Sequence, residues 1–274
     1  MTKLHLPRRS NVLGVGIHAL DLASAIELME SAIAAKTQGY VCLTDAHSII
    51  EAQDNPAYLK VLNQSLLTLS DGRPAVWIGR MQGCTAMDQV PGPELFLRFC
   101  EISARKGYSQ FLYGGAPGVA EHLGRVLLGR YPALNIVGTY SPPFRPLTES
   151  EEKLLAAIFL KLKPDVTWIG LGAPKQDLFM AQHLGRLDTT LMVGVGAAFD
   201  MHSGRVNDAP PWLKPLGLAW LHRLVQEPKR LWKRYVNCIP RFLWSVTLQL
   251  LRIRRYELKP KTNDASDEIS RATT

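Results

Sequence analysis

The residues of this chain whose types and spacing suit chemistry lie in a few short segments. Leu69-Ser70-Asp71-Gly72-Arg73-Pro74 puts a carboxylate where an apolar run ends and a helix is expected to begin at Pro74. A carboxylate so placed suits a general base that takes a proton from an attacking hydroxyl. Asp-Gly is equally a common turn dipeptide, and the residues by themselves favour that plainer reading. Thr44, Asp45 and His47 follow another apolar run and border the same cleft if the strand order brings the two ends together. A lone histidine in such a place otherwise serves the structure.

Three glycine-rich segments suit a phosphate-bearing ligand. In residues 111–118, Gly114 and Gly115 stand between a strand and a helix expected near Pro117, where free backbone N–H groups can meet a diphosphate. A tight turn is the alternative. In Gly170-Leu171-Gly172-Ala173-Pro174-Lys175-Gln176, a buried strand ends in glycines and then presents Lys175 for phosphate and Gln176 for a sugar or uracil edge. The alternative is a helix start whose polar residues face water. In residues 194–200, Gly196 lets a flat group approach and Asp200 is available for a ribose hydroxyl, although small residues there also suit close helix-on-sheet packing.

Strand ends of this kind need a sheet to hold them. Apolar runs at residues 12–17, 40–43, 111–113, 135–137, 166–169 and 191–195 are mostly separated by segments of helical periodicity, beginning with Leu22, Ala25, Ile26, Met29 and Ile33 after the capping candidate Asp21. The alternation predicts an α/β fold, a Rossmann-like and largely parallel sheet flanked by helices. Ligands of such sheets bind beyond the carboxyl ends of the strands. Near Ala209-Pro210-Pro211-Trp212 the chain turns rich in Trp, Arg and Lys, so the expected organisation is a core over 11–208, a helical basic appendage over 209–256 and a disordered tail over 257–274.

Composition bounds the function. A chain of 274 residues, 46% of them hydrophobic, buries one principal core. Its net charge of +8 favours an anionic partner. Cys42, Cys84, Cys100 and Cys238 form no Cys-x-x-Cys pair and read as reduced thiols, and residues 1–10 lack the apolar stretch of a signal peptide. Arg241, Gln249 and Arg252 interrupt the most apolar C-terminal stretch, which rules out a spanning helix there. That segment interleaves Arg223, Lys229, Arg230, Lys233, Arg234 and Arg241 with aromatic rings, which suits an anionic membrane surface, the alternative being a solvated basic face.

Taken in order, these segments resemble the WecG/TagA/CpsF family of bacterial glycosyltransferases over residues 11–235. The specific pieces are Phe111-Leu-Tyr-Gly-Gly115, Tyr140-Ser-Pro-Pro-Phe-Arg145, residues 168–176, residues 194–200, Ala209-Pro210 with Trp212, and Glu227-Pro-Lys-Arg-Leu-Trp232. The resemblance implies inverting transfer of a hexose or N-acetylhexosamine from a UDP-sugar to an undecaprenyl-diphosphate-linked acceptor sugar in exopolysaccharide synthesis, UDP-glucose being the alternative donor to one carrying N-acetylmannosamine. It implies that Asp71 is the catalytic base, that Thr44 flanks its pocket, that Gln176 contacts the donor, and that Arg223, Arg230 and Arg234 close over the diphosphate. Two departures stand out. Ala46 occupies the place of the asparagine in a Thr-x-Asn motif, leaving His47 as its substitute, and Gln89 replaces an arginine whose charge Arg73 or Arg80 would supply.

No Asp-x-Asp metal motif is present, so no obligatory cofactor or metal is expected, and the UDP-sugar is the donor substrate. The expected location is cytoplasmic and peripheral on the inner face of the plasma membrane, with an oligomer allowed. A nicotinamide-dependent oxidoreductase would need Gly-x-Gly-x-x-Gly after the first strand, which is absent. A nucleic-acid-binding role leaves the glycine-rich strand ends unexplained, and no nucleic-acid partner is expected.

Overall fold

The computed structural model describes residues 5–213 and 217–258. The segment expected as one strand at residues 12–17 is instead a hairpin of β1 (Arg9–Val12) and β2 (Val15–His18), paired antiparallel and apart from the main sheet. Leu13 and Gly14 turn it with φ of 52° and 82°, the two successive left-handed residues that the right-handed twist of a tight hairpin favours. A leucine at the first of these positions gives no turn signal, which is why an apolar run hides the turn.

Then follow α1 (Leu22–Ala34), β3 (Gly39–Thr44), α2 (Ala46–Asp54), α3 (Pro56–Gln64), β4 (Leu67–Ser70), α4 (Arg73–Met81), α5 (Gly92–Lys106), β5 (Ser109–Gly114) and α6 (Val119–Arg130). After them come β6 (Asn135–Tyr140), α7 (Glu149–Leu162), β7 (Val166–Gly170), α8 (Lys175–His183), β8 (Leu191–Gly194), α9 (Ala198–His202), α10 (Ala219–Gln226) and α11 (Pro228–Leu250). The main sheet has six strands in the order β4-β3-β8-β7-β5-β6, and every pairing is parallel.

Helices cover both faces, so the inner strands are apolar throughout rather than alternating. Along β3, Val41 and Leu43 join the core beneath α1, α5, α6 and α9, while Tyr40 and Cys42 join the core beneath α2, α3 and α8. Trp168 is fully buried between Phe96 at 4.9 Å and Phe99, and its Nε1–H donates to Gln110 Oε1 at 2.9 Å. That bond satisfies the one polar atom of the largest side chain in the core.

The C-terminal helices share this core. Cys238, Phe242 and Val246 of α11 are buried in the cluster that contains Ile49 and Tyr58. Arg234 pairs with Asp45 at 2.9 Å and Arg241 with Asp54 at 2.6 Å, so α11 is held at both ends of α2. Farther on, Leu13 N–H donates to Gln249 Oε1 at 3.0 Å, and Asn11 Nδ2 donates to the Tyr256 carbonyl at 2.6 Å. Of the segment expected as a tail, Glu257 and Leu258 lie against Gly14 and Gly16 of the hairpin, and residues 259–274 fall outside the described residues.

Chain direction decides where a crevice opens. From β5 the chain moves outward to the edge strand β6, whereas from β7, the neighbour of β5, it moves inward to β8. Connections that diverge from adjacent strands leave a gap at their carboxyl ends.

Candidate active site

Asp71 follows the last residue of β4, and two hydrogen bonds fix its backbone while a third holds its carboxylate. Its N–H donates to the Thr44 carbonyl at 3.0 Å, Gln89 Nε2 donates to its carbonyl at 2.6 Å, and Gly92 N–H donates to its carboxylate Oδ1 at 2.9 Å. The last donor belongs to the first turn of α5, so the carboxylate faces the positive end of a helix. Burial nevertheless pushes its carboxyl up to about 6, against the Gly92 hydrogen bond; Asp45 pushes the same way, and Arg223 and Arg234 oppose it. A carboxylate so raised accepts a proton near neutral pH far better than an exposed aspartate.

The strand order does bring Thr44 and Asp45 beside it, because β3 and β4 are neighbours with Thr44 level with Ser70. Thr44 is fully buried and its hydroxyl oxygen has no partner among the described residues. Asp45 caps α2, accepting from Ser48 N–H at 2.8 Å and Ser48 Oγ at 2.9 Å, and it also accepts from Arg234 Nη2. Although burial acts upward on it, Arg234 and the Ser48 N–H hold Asp45 below the usual carboxylate range. His47 lies in the first turn of α2, 3.9 Å from Glu51, and burial together with Arg234 pulls its imidazole downward. With Arg234, Asn237 and Arg241, His47 lines a hollow of about 180 Å³ between α2 and α11.

The basic appendage does reach this place. Arg223 of α10 and Arg234 of α11 are both near enough to act on the charge of Asp71. Arg223 lies 3.8 Å from Glu227, and the Nε of each arginine is enclosed without a partner. Arg230 belongs to α11, but its side chain lies outside the described residues. Arg73, at the start of α4, spends its guanidinium on Asp88 at 2.8 Å, and Arg80 approaches the same carboxylate at 3.6 Å. Gln89, where the resemblance implies an arginine, is a brace for the Asp71 carbonyl.

The glycine-rich turns form the other half of the rim. Gly115 N–H donates to the Gly170 carbonyl at 3.0 Å, and a Cβ placed on Gly114 would fall 2.7 Å from the Gly170 backbone. Only glycine allows β5 and β7 to end that close together. Lys175 is exposed at the first position of α8 and forms no ion pair among the described residues. Gln176 is buried, and its Oε1 accepts from Gly172 N–H at 3.1 Å, so it shapes the β7–α8 turn from below. A Cβ on Gly196 would lie 3.4 Å from that same oxygen. Asp200, in the first turn of α9, is 3.7 Å from Arg205.

The two halves are continuous. A Cβ on Gly92, the residue bound to Asp71, would lie 3.3 Å from the Val195 carbonyl, and Gly196 follows. The rim thus runs from a half-buried carboxylate flanked by cations, across small residues, to the N-termini of α6, α8 and α9. Such a rim can take a proton at one end and hold a diphosphate at the other.

Sequence reasoning placed Asp45 at the cleft but missed its partner, and it passed over Asp177. Asp45 was visible as a capping residue three positions before the N–H it accepts, yet its pairing with Arg234 crosses 189 positions and leaves no local signal. Asp177, fully buried beneath the rim, accepts from Tyr58 Oη at 2.7 Å, a contact between α8 and α3 that only packing creates.

Comparison with known proteins identifies the family. The sequence profile described as "Glycosyl transferase WecG/TagA/CpsF family" matches residues 10–256. A protein of Bacillus spizizenii named N-acetylglucosaminyldiphosphoundecaprenol N-acetyl-beta-D-mannosaminyltransferase is 28% identical over 242 residues, covering 88% of this chain and 90% of that protein. Proteins of the same name from Bacillus subtilis, 28% identical over 74% of this chain and 77% of theirs, and from Staphylococcus aureus, 23% identical over 89% and 94%, are also similar.

Proposed function

We infer the reaction from a settled premise: this chain belongs to the WecG/TagA/CpsF family of glycosyl transferases, and it is a glycosyltransferase. We propose that it moves a hexose or N-acetylhexosamine from a UDP-sugar to a sugar carried on undecaprenyl diphosphate, with inversion, at a membrane surface. The names of the relatives support the lipid-linked acceptor, and in particular N-acetylglucosamine on the lipid diphosphate. They favour an N-acetylmannosamine donor over glucose; the polysaccharide served, exopolysaccharide or teichoic acid, follows from the sugar transferred.

The observation that carries the reading is the setting of Asp71: a carboxylate with its affinity for protons raised by burial, beside two cations from the C-terminal helices, at the end of a glycine-lined rim. The acceptor hydroxyl gives its proton to Asp71 as its oxygen bonds to the anomeric carbon. The bond from that carbon to the diphosphate oxygen breaks on the opposite face, and UDP leaves with the electron pair. Arg223, Arg234, Lys175 and the helix N-termini meet the charge that develops on the leaving group. No helix among the described residues is long and apolar enough to cross a membrane. The exposed Trp232, Val236, Leu243 and Trp244 of α11 support docking on the inner face of the plasma membrane instead.

Asp71→Asn is expected to retain binding of UDP, measured by calorimetry, while transfer to a short-chain lipid-diphosphate acceptor falls by about 100-fold or more. Turnover equal to that of the unaltered protein would refute the base assignment. A panel of UDP-sugars with the same acceptor identifies the donor.

A further inference from the structure

The end of α11 carries a cluster for which the reaction has no use. The helix stops in a reversal where the N–H groups of Ile253 and Arg254 both donate to the Leu248 carbonyl, at 3.0 and 3.2 Å. The residue that makes the reversal is Arg252, at a left-handed φ of 59°. Glycine is the residue this position favours, and an arginine there costs about 1 kcal/mol of backbone strain. Arg252, Arg254 and Arg255 are exposed, and none forms an ion pair among the described residues. Arg254 lies over the Tyr256 ring at 5.0 Å. Together with Gln249 and Glu257 they line a hollow of about 450 Å³.

Apolar side chains alternate with these cations. Leu251 and Ile253 are 64% and 69% exposed, and Leu250 is also exposed. A free phosphate or a nucleic-acid backbone gains nothing from three exposed aliphatic side chains beside and between the arginines. A phospholipid bilayer rewards both: its phosphates pair with guanidinium groups while leucine and isoleucine enter the acyl boundary. From Arg234 to Leu250 the helix spans about 24 Å at 1.5 Å per residue, so this cluster is remote from Asp71.

From these observations we infer that the turn of Arg252, Arg254 and Arg255 is a binding site for the phosphate headgroups of anionic phospholipids, anchoring the far end of α11 to the bilayer. It rests on the membrane reading above and assigns a specific ligand and place to it. With Trp232 exposed near the catalytic end and this turn at the other, α11 lies along the surface, and its outward face is the contact.

The test uses full-length protein and sedimentation with phosphatidylcholine vesicles, with and without phosphatidylglycerol, beside transfer to a water-soluble acceptor. Each cation near an anionic surface gives about a fivefold gain in partition, so Arg252→Gln/Arg254→Gln/Arg255→Gln is expected to bind phosphatidylglycerol vesicles about 100-fold more weakly. Turnover on the soluble acceptor stays unchanged. Glu257→Gln, which removes the acid of the hollow, is expected to bind severalfold more tightly. Arg252→Gly is expected to melt no lower than the parent yet to partition about fivefold less, which separates the ligand role from a structural one. Equal binding of the parent to both kinds of vesicle, or unchanged partition of the triple variant, overturns the site even if sugar transfer is intact. Inorganic phosphate or an oligonucleotide bound by the turn without any vesicle binding overturns it too. Loss of transfer by the parent on every acceptor, with vesicle binding preserved, strikes the proposed reaction and leaves the site standing.

Discussion

At the scale of single residues, the chemistry turns on how one carboxylate is surrounded. Asp71 sits at about 6 because burial outweighs the Gly92 hydrogen bond and because Asp45 places a second negative charge nearby. As the proposed base it must be ionised, so kcat/KM is expected to rise with pH through about 6 and then level off, as a pH profile with the soluble acceptor will show. Asp45→Asn keeps a good helix cap while removing that charge and releasing Arg234. Both changes favour the ionised form of Asp71, so the acid limb is expected to move to lower pH; a limb that does not move rules out the coupling. The carboxylate itself was legible in the sequence as Asp-Gly at the end of an apolar run. Its raised proton affinity was not, because the burial and the charges come from residues up to 163 positions away at Arg234.

At the scale of elements, close approach of backbones decides what the rim can be. Gly114 has a φ of 136°, and a Cβ on it would lie 2.7 Å from the backbone of Gly170 on the neighbouring strand. Gly114→Ala is expected to destabilise the fold by about 2–4 kcal/mol in a denaturant melt, through overpacking and backbone strain together. A cost under about 0.5 kcal/mol would mean that the two strand ends separate easily. The glycine turns were readable as strand-to-helix junctions. The hairpin at residues 9–18 was not, since Leu13 and Gly14 interrupt an apolar run with no polar residue between its strands.

At the scale of the whole molecule, α11 serves the core with one face and the surroundings with the other. Phe242 is 4% exposed and Trp244 is 66% exposed, two positions apart on the same helix. Phe242→Ala is expected to cost about 3–4 kcal/mol of stability. Trp244→Ala is expected to change stability by less than about 0.5 kcal/mol while lowering partition into vesicles. Equal effects of the two on the melt would mean that the outward face is not free. Interleaved basic and aromatic residues announced an amphipathic segment, but they gave no sign that Arg234 and Arg241 also pair with acids of α2.

The sequence alone determined the α/β class and the family, because these are written in local signals: apolar period, glycines at strand ends and short motifs in a fixed order; Asp71 became the candidate base only through the family resemblance. Tertiary structure decided which of the cations come near the candidate base. Arg73 is spent on Asp88, Gln89 holds a carbonyl, and Arg223 and Arg234 reach Asp71 from helices that follow the sheet in the chain. The division has a physical cause. Backbone propensity acts over a few residues, whereas an ion pair or a desolvated carboxylate depends on groups that only folding brings together.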